Sequence, residues 1–224
     1  IILGFSIGFA AVKMNPPRVA NWLAVISSIG LATPSFYLGS LFIALTVIYM
    51  IAAGNNVDPP FPMGGFGWDE HLFYPLLALT IRPTVQIAHV TASLLSSELD
   101  KQYIVAARSF GANQRRLRWY HAFRNVIAPV LVAIAGSFRL LINELIMIEW
   151  LFRWPGLGRL LAWTLIPPLM SNTSAPPLFL EPAVVAGILV VIAAFFLIAD
   201  LVASGLGQFF DPRMRAKEQE VANG

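Results

Sequence analysis

The chain has 224 residues, 57% of them apolar and 12% charged, with a formal net charge of +3. Its charges are bunched between apolar runs of about 20 residues, which excludes the alternating pattern of a soluble surface and marks a membrane composition. Cysteine is absent, so the sequence offers no disulfide framework, no CxxC metal site and no thiol nucleophile.

Residues 1–12 are apolar but too few to span a bilayer, and they carry neither a basic leader nor a small-residue cleavage site. They read as the back half of a first span, so the chain is expected to be N-terminally truncated. Lys13-Met-Asn-Pro-Pro-Arg18 reads as a short polar turn. The apolar run 19–53 is longer than one perpendicular helix needs, and Pro34 within it removes a backbone donor, so the expectation is one long helix bent at Pro34. Residues 54–70 form a Gly, Pro and Asn loop with Asp58, Asp69 and Glu70 but no Lys or Arg. A third span, 71–97, carries Pro75, Arg82, Pro83 and His89. A polar segment follows at 98–125, then a fourth span, 126–150, with Arg139, Asn143 and Glu144 inside it. A loop rich in Trp, Pro and Gly covers 151–181, and the last span, 182–207, leads into a polar tail, 208–224. The predicted fold is therefore an all-α integral membrane protein, a polytopic helical bundle of five hydrophobic segments with the first partial. One transmembrane domain fills 1–207.

Basic residues set the orientation. Lys13 and Arg18 flank the first turn, Lys101, Arg108, Arg115, Arg116, Arg118 and Arg124 lie in 98–125, and Arg213, Arg215 and Lys217 lie in the tail. Only Arg153 and Arg159 fall in the alternate loops. The basic side is cytoplasmic by the positive-inside rule, which puts the C-terminus inside and the Trp154 loop outside.

Within 98–125, Leu99, Tyr103, Ala106 and Phe110 recur at helical spacing on an otherwise polar segment that Gly111 breaks. A second stripe, Leu117, Tyr120, Phe123 and Ile127, sits beside Arg115, Arg116 and Arg118. The expected shape is a short helix, a Gly turn and a second short helix. Two readings of this elbow stay open on pattern alone: a surface that grips a soluble partner, and an interfacial helix lying on acidic lipid headgroups.

An ionisable side chain in hydrocarbon costs about 3 kcal/mol even on the lenient insertion scale, so Arg82, His89, Arg139, Asn143 and Glu144 must face protein or water. They are candidates for the wall of a polar pathway, with structural pairing inside the bundle as the alternative. Arg139 and Glu144 are badly stacked on an ideal helix, and Asn143 is the better local neighbour for Arg139. Outside the fourth span, Trp154, Pro155 and Gly156 form a candidate outer gate, or an aromatic interface anchor. No phosphate-binding Gly-rich loop, His-Glu-x-x-His or serine elbow occurs, and scattered His and Met make no metal site.

Tyr103-Ile-Val-Ala-Ala-Arg-Ser-Phe-Gly111 followed by His121-Ala-Phe-Arg-Asn-Val-Ile-Ala-Pro129 resembles the cytoplasmic coupling loop of bacterial ABC-importer permeases, most closely the peptide and nickel branch. Three further segments agree in order: Pro34-Ser35-Phe36, Glu149-Trp-Leu-Phe-Arg-Trp-Pro-Gly-Leu-Gly158 and Asp211-Pro-Arg-Met-Arg215. Val105 stands where the general loop motif has an acid, the outer loop at 167–177 is longer than usual, and the branch's first spanning helix is missing.

The resemblance implies a type I importer permease fold in the bacterial inner membrane, forming half of a translocation pathway for short peptides. It implies that 98–125 couples the pathway to a separate ATPase, with Tyr103, Ala106, Ala107 and Phe110 as apolar contacts, Gly111 as the turn and Arg108, Arg115 and Arg116 as a polar rim. This chain then needs no catalytic group and binds no cofactor, since ATP and magnesium sit in the partners. Those partners are a second, similar permease, two ATP-binding subunits or domains and an extracytoplasmic substrate-binding protein, all in a lipid bilayer and without nucleic acid. An ion-coupled secondary transporter using Arg139 and Glu144, or a permease for nickel or another solute, are the alternatives.

Overall fold

A computed structural model describes residues 1–54, 57–165 and 181–210. The predicted 167–177 loop, the 211–215 motif and the tail beyond it lie outside the described residues.

Helix α1 (Ile2–Ala10) leads into a hairpin of β1 (Val12–Met14) and β2 (Pro17–Val19), paired antiparallel with Val12 opposite Val19 and Lys13 opposite Arg18. The sequence reading had only a polar turn here. Pro16 and Pro17 do stop helix propagation, but Val12 and Val19 on either side pair as short strands.

The apolar run that follows is two helices, α2 (Asn21–Ala32) and α3 (Ser35–Ala53), which corrects the expectation of one bent helix. Proline drives the residue before it out of the helical region, so Thr33 ends one helix. Pro34 itself is extended, at φ −65° and ψ 149°, and its carbonyl accepts the N–H groups of Tyr37 and Leu38 at 3.1 and 3.3 Å, opening the next helix.

Helix α4 (Phe73–Leu99) tolerates Pro75 in its first turn and carries Pro83 inside. Helix α5 (Gln102–Ser109) ends at Gly111, which has a φ of +84°. Asn113 then caps α6 (Gln114–Leu151), a continuous helix of 38 residues with a π-helical segment at Leu117–Ala122. The second arm of the elbow is thus the first turns of a spanning helix, not a separate one. No Gly or Pro lies between Gln114 and Pro129 to stop propagation, and the helix runs on through the π turn. Helices α7 (Leu157–Leu165) and α8 (Pro182–Phe210) complete the described elements.

Among the described residues three helices are long and apolar enough to cross a membrane: α3, α6 and the 182–205 part of α8. Helix α4 is long enough, at 27 residues, but too polar to join them. Its Ala78, Ile87, Ala88, Ala92, Leu95 and Leu99 are all buried. One face of α4 packs on protein while Phe73, Leu76 and Leu77 stay exposed, and polar residues such as Gln86 and His89 that are partly buried need no lipid-compatible surface.

The chain divides into two compact units. The first takes residues 1–32, 83–139 and 199 onward, with a core of Phe9, Leu23, Leu95, Leu99, Ile104 and Leu117. Here α1 lies directly on α4: a Cβ on Gly4 would stand 2.6 Å from the Thr84 carbonyl oxygen, and one on Gly8 would collide with that of Ala88. This is close helix packing through small residues four apart. The second unit takes 33–82 and 140–198, with a core of Tyr74, Ala78, Leu79, Ile148 and Phe152 and a 2.6 Å hydrogen bond between Thr46 Oγ1 and Tyr74 Oη.

Candidate functional site

Helix α5 has two faces. Ile104 is fully buried, and Ala107 and Arg108 turn the same way, Ala107 against the first core and Arg108 onto the hairpin turn. Arg108 donates from Nη1 to Asn15 Oδ1 at 2.8 Å and from Nη2 to the Met14 carbonyl at 3.3 Å. The opposite face, Val105, Ala106, Ser109 and Phe110, is exposed, and Phe110 is 90% exposed. The stripe read from the sequence is therefore divided: Leu99 belongs to the core, while Ala106 and Phe110 face out. Ile104 and Ala107 are the true inward pair, a spacing of three that one turn of helix cannot distinguish from its rival by periodicity.

Gly111 closes α5. Its N–H donates to the Arg108 carbonyl at 3.0 Å and the Ala112 N–H to that of Ala107 at 3.1 Å, the pattern of a left-handed helix cap. A Cβ at Gly111 would meet nothing within 4 Å, so the requirement for glycine is its positive φ and not crowding.

Where α4 gives way to α5, Glu98 gathers three donors. Lys101 Nζ lies 2.5 Å from its Oε2, while Tyr103 Oη and Asn125 Nδ2 donate to Oε1 at 2.6 and 3.0 Å. Asn125 also donates to Tyr103 Oη at 2.9 Å. Burial pushes the Glu98 carboxyl up, but the hydrogen bonds from Lys101, Tyr103 and Asn125 outweigh it and hold the group below the usual carboxylate range. Burial, reinforced by the hydrogen bond to Glu98, pushes the Tyr103 hydroxyl up to about 12. The sequence reading took Tyr103 as an apolar contact and gave Glu98 no role.

Arg115 and Arg116 are exposed and share a shallow hollow with Asn113 and Trp119. Arg118 instead reaches back to the hairpin, donating to the Val12 carbonyl and lying 5.2 Å from the Phe9 ring centre. Trp119 packs on the same ring at 4.3 Å.

The intramembrane polar residues sort into two ion pairs. Arg82 pairs with Glu144, whose side chain is 6% exposed. Arg139 pairs with Asp200, both about half exposed, at 56% and 45%. This corrects the expected Arg139–Asn143 neighbourhood: Asn143 is exposed and the salt bridge goes to α8 instead. Asp200 went unread in the sequence although it is the only charged residue of α8, a signal that sufficed to find it. His89 is half-buried, with Nδ1 enclosed and unpartnered.

At the far end of α6, Glu149 organises the Trp-Pro-Gly loop. Its Oε2 accepts the Gly158 N–H at the start of α7 at 2.6 Å, and its carbonyl accepts the Trp154 N–H at 2.9 Å. A Cβ on Gly156 would fall on the Glu149 carboxylate and one on Gly158 on the Ile146 backbone. The 54–70 loop is tied to this corner by the Gly65 N–H, which donates to the Phe152 carbonyl at 2.8 Å, and by an edge-on Phe66–Trp154 contact at 5.6 Å. Pro155 is exposed.

The sequence pattern of the binding-protein-dependent transport system inner membrane components matches residues 1–216. The chain belongs to this family. Among relatives of this permease, it is 26% identical over 218 residues to a probable peptide ABC transporter permease of Sinorhizobium fredii, covering 96% of this chain and 65% of the relative. It is 30% identical over 200 residues to a putative peptide transport system permease of Brucella abortus, covering 89% and 63%. A dipeptide transport system permease of Lactococcus lactis is 25% identical over 218 residues, covering 96% and 64%. The chain thus spans less than two thirds of the length of each. Family membership and the long apolar helices make it a multi-pass helical integral membrane protein of the permease kind. Among the described residues no three His, Asp or Glu side chains gather as a metal site.

Proposed function

We propose that this permease is the transmembrane subunit of an ATP-driven importer for short peptides, forming half of the translocation pathway and driven through the 98–125 elbow by a separate ATPase. The observation that carries the reading is the exposed face of α5. Phe110 stands 90% exposed at the tip of a polar elbow, beside Val105 and Ala106, on a helix whose other face is anchored. A large aromatic flanked by small residues and by Arg115 and Arg116 is the composition of an interface centre with a charged rim. Arg108 and Ala107 then hold α5 in place behind that face, and Tyr103 contributes its ring edge. The peptide permeases among its relatives support peptides as cargo.

The assembly consists of this chain, a second similar permease, two ATP-binding subunits or domains that hold the ATP and magnesium, and an extracytoplasmic binding protein. The elbow and the C-terminus lie in the cytoplasm. Arg139 and Asn143, exposed on a spanning helix, belong to the pathway wall together with Asp200, whereas the buried Glu144 and the partly buried Arg82 and His89 hold the bundle together. Trp154, Pro155 and Gly156 form the outer gate or the rest for the binding protein.

Affinity purification of the full-length permease in mild detergent tests the class: an ATPase and a second permease co-purify. Their absence would overturn the reading. Phe110→Ala is expected to weaken ATPase retention by about 2 kcal/mol, roughly 30-fold, with membrane insertion unchanged. Retention at the wild-type level would remove α5 as the docking element.

A further inference from the structure

Glu98 sits where three elements meet: the last turn of α4, the α5 arm and the first turns of α6. Its carboxylate is almost enclosed, with the side chain 8% exposed, yet both oxygens are used. Lys101 comes from the link between α4 and α5, Tyr103 from α5, and Asn125 from α6. Tyr103 and Asn125 are also bonded to each other, so these two close a ring of hydrogen bonds with Glu98 Oε1, while Lys101 holds the other carboxylate oxygen. Of the four side chains only Glu98 is buried, so removing Tyr103 or Asn125 would leave its enclosed carboxylate short of a donor.

The chain links that this ring bridges are short, and α5 is otherwise held by the apolar packing of Ile104 and Ala107 and by the bonds of Arg108 to the hairpin. Lys101 is extended at φ −67° and ψ 147°, and Gly111 has a positive φ. Both are chain links at which a change of backbone torsion would turn α5 relative to α4 and α6. Arg108 and Arg118 tie the elbow to the β1–β2 hairpin, but neither bonds α5 to α6. The direct polar ties from α5 to the long helices on either side run through Glu98 and Tyr103.

We infer that Glu98 is a positioning residue that pins α5 to the ends of α4 and α6, so that the elbow and these two helices move as one lever. The inference rests on the importer reading and adds to it the joint through which a push on α5 reaches the membrane instead of being lost at Lys101 and Gly111. Neither the position nor the role belongs to the motif that marked the elbow in the sequence. Glu98 lies ahead of that motif and acts through Tyr103 inside it.

The test uses the full assembly reconstituted in lipid, with Glu98→Gln and, as a milder change, Tyr103→Phe. Expected is a drop of about tenfold in substrate carried per ATP hydrolysed for Glu98→Gln, and a smaller drop for Tyr103→Phe, with the ATPase co-purifying at the wild-type level. A purely structural role would lower assembly, hydrolysis and transport together and leave their ratio unchanged. The 224 residues hold no cysteine, so spin labels on the exposed Gln102 of α5 and Arg124 of α6 follow the joint directly. Their separation should stay constant through the nucleotide cycle in the wild-type joint and change in Glu98→Gln. An unchanged transport ratio, or a separation that already changes with Glu98 intact, overturns the lever while leaving the importer reading standing. Failure of any ATPase to assemble with the wild type overturns both.

Discussion

The titration of Glu98 and Tyr103 gives the elbow a defined pH range. The Glu98 carboxyl is held below its usual range in the folded chain, so its contribution to stability is present above the ordinary carboxylate pKa and is lost as pH falls through the depressed folded value. Tyr103 runs the other way. Its hydroxyl is raised from 10.0 to about 12, so its contribution is complete below the unfolded value and disappears as pH rises through about 12. The stability difference between wild type and Tyr103→Phe, measured by thermal unfolding in detergent, should therefore be flat near neutral pH and shrink only in strong alkali. A difference that already collapses near pH 8 would contradict the hydrogen-bonded hydroxyl. Little of this was legible beforehand. Glu98 lies five residues from Tyr103 and 27 from Asn125, and no local pattern connects residues so far apart in the chain.

Glycine offers a second residue-scale test, because the motif around Trp154 and a glycine elsewhere on α6 differ only in what surrounds them. A Cβ at Gly158 would drive into the Ile146 backbone, whereas at Gly136 it would meet nothing within 4 Å. Gly158→Ala should cost about 2 kcal/mol through overpacking and visibly lower Tm. Gly136→Ala should be neutral or stabilising by up to about 1 kcal/mol through helix propensity. Equal effects would show that the Glu149 corner is not packed as described. The motif Glu149-Trp-Leu-Phe-Arg-Trp-Pro-Gly-Leu-Gly158 was readable as a unit from the sequence; that its first residue caps the helix beginning at its end was not, since the contact spans a full reversal of the chain.

At the scale of elements, the long apolar runs were legible and their interruptions were not. Hydropathy registers length but is blind to whether a proline bends a helix or ends it, and at Pro34 it ends one. Hydropathy also ranks α4 beside the others only loosely, because a helix with one face packed on protein is free to carry polar residues. Charges inside helices can be read singly, Asp200 included, but their partners lie on other helices, so the Arg139–Asp200 bridge between α6 and α8 is not visible in the sequence. That bridge predicts non-additive mutations. Arg139→Leu and Asp200→Leu each strand one charge in a spanning helix and, discounted for half exposure, should cost about 1–2 kcal/mol. The double variant should be milder than the sum of the two in detergent unfolding and in expression level. Strict additivity would mean that the two side chains do not meet in the membrane.

For the whole molecule, the distribution of charge along the chain is the strongest topological signal, because it depends on composition and not on any contact. The elbow carries Lys101, Arg108, Arg115, Arg116, Arg118 and Arg124, whereas the 54–70 loop carries Asp58, Asp69 and Glu70 without a basic residue. The proposed topology therefore puts the two on opposite sides of the bilayer. Two exposed positions report them: Trp68 in the acidic loop, 88% exposed, and Ser109 on the outer face of α5. With Trp68→Cys and Ser109→Cys made separately, a membrane-impermeant maleimide should label the first in intact cells and the second only after permeabilisation. Labelling at Ser109→Cys should fall again when the ATPase is present, since Ser109 neighbours Phe110 on the face proposed to dock. Labelling of Ser109→Cys in intact cells would invert the topology and with it the assignment of the elbow. Access after permeabilisation that the ATPase leaves undiminished would keep the topology but move the docking surface off α5, toward the exposed Arg115 and Arg116 at the start of α6.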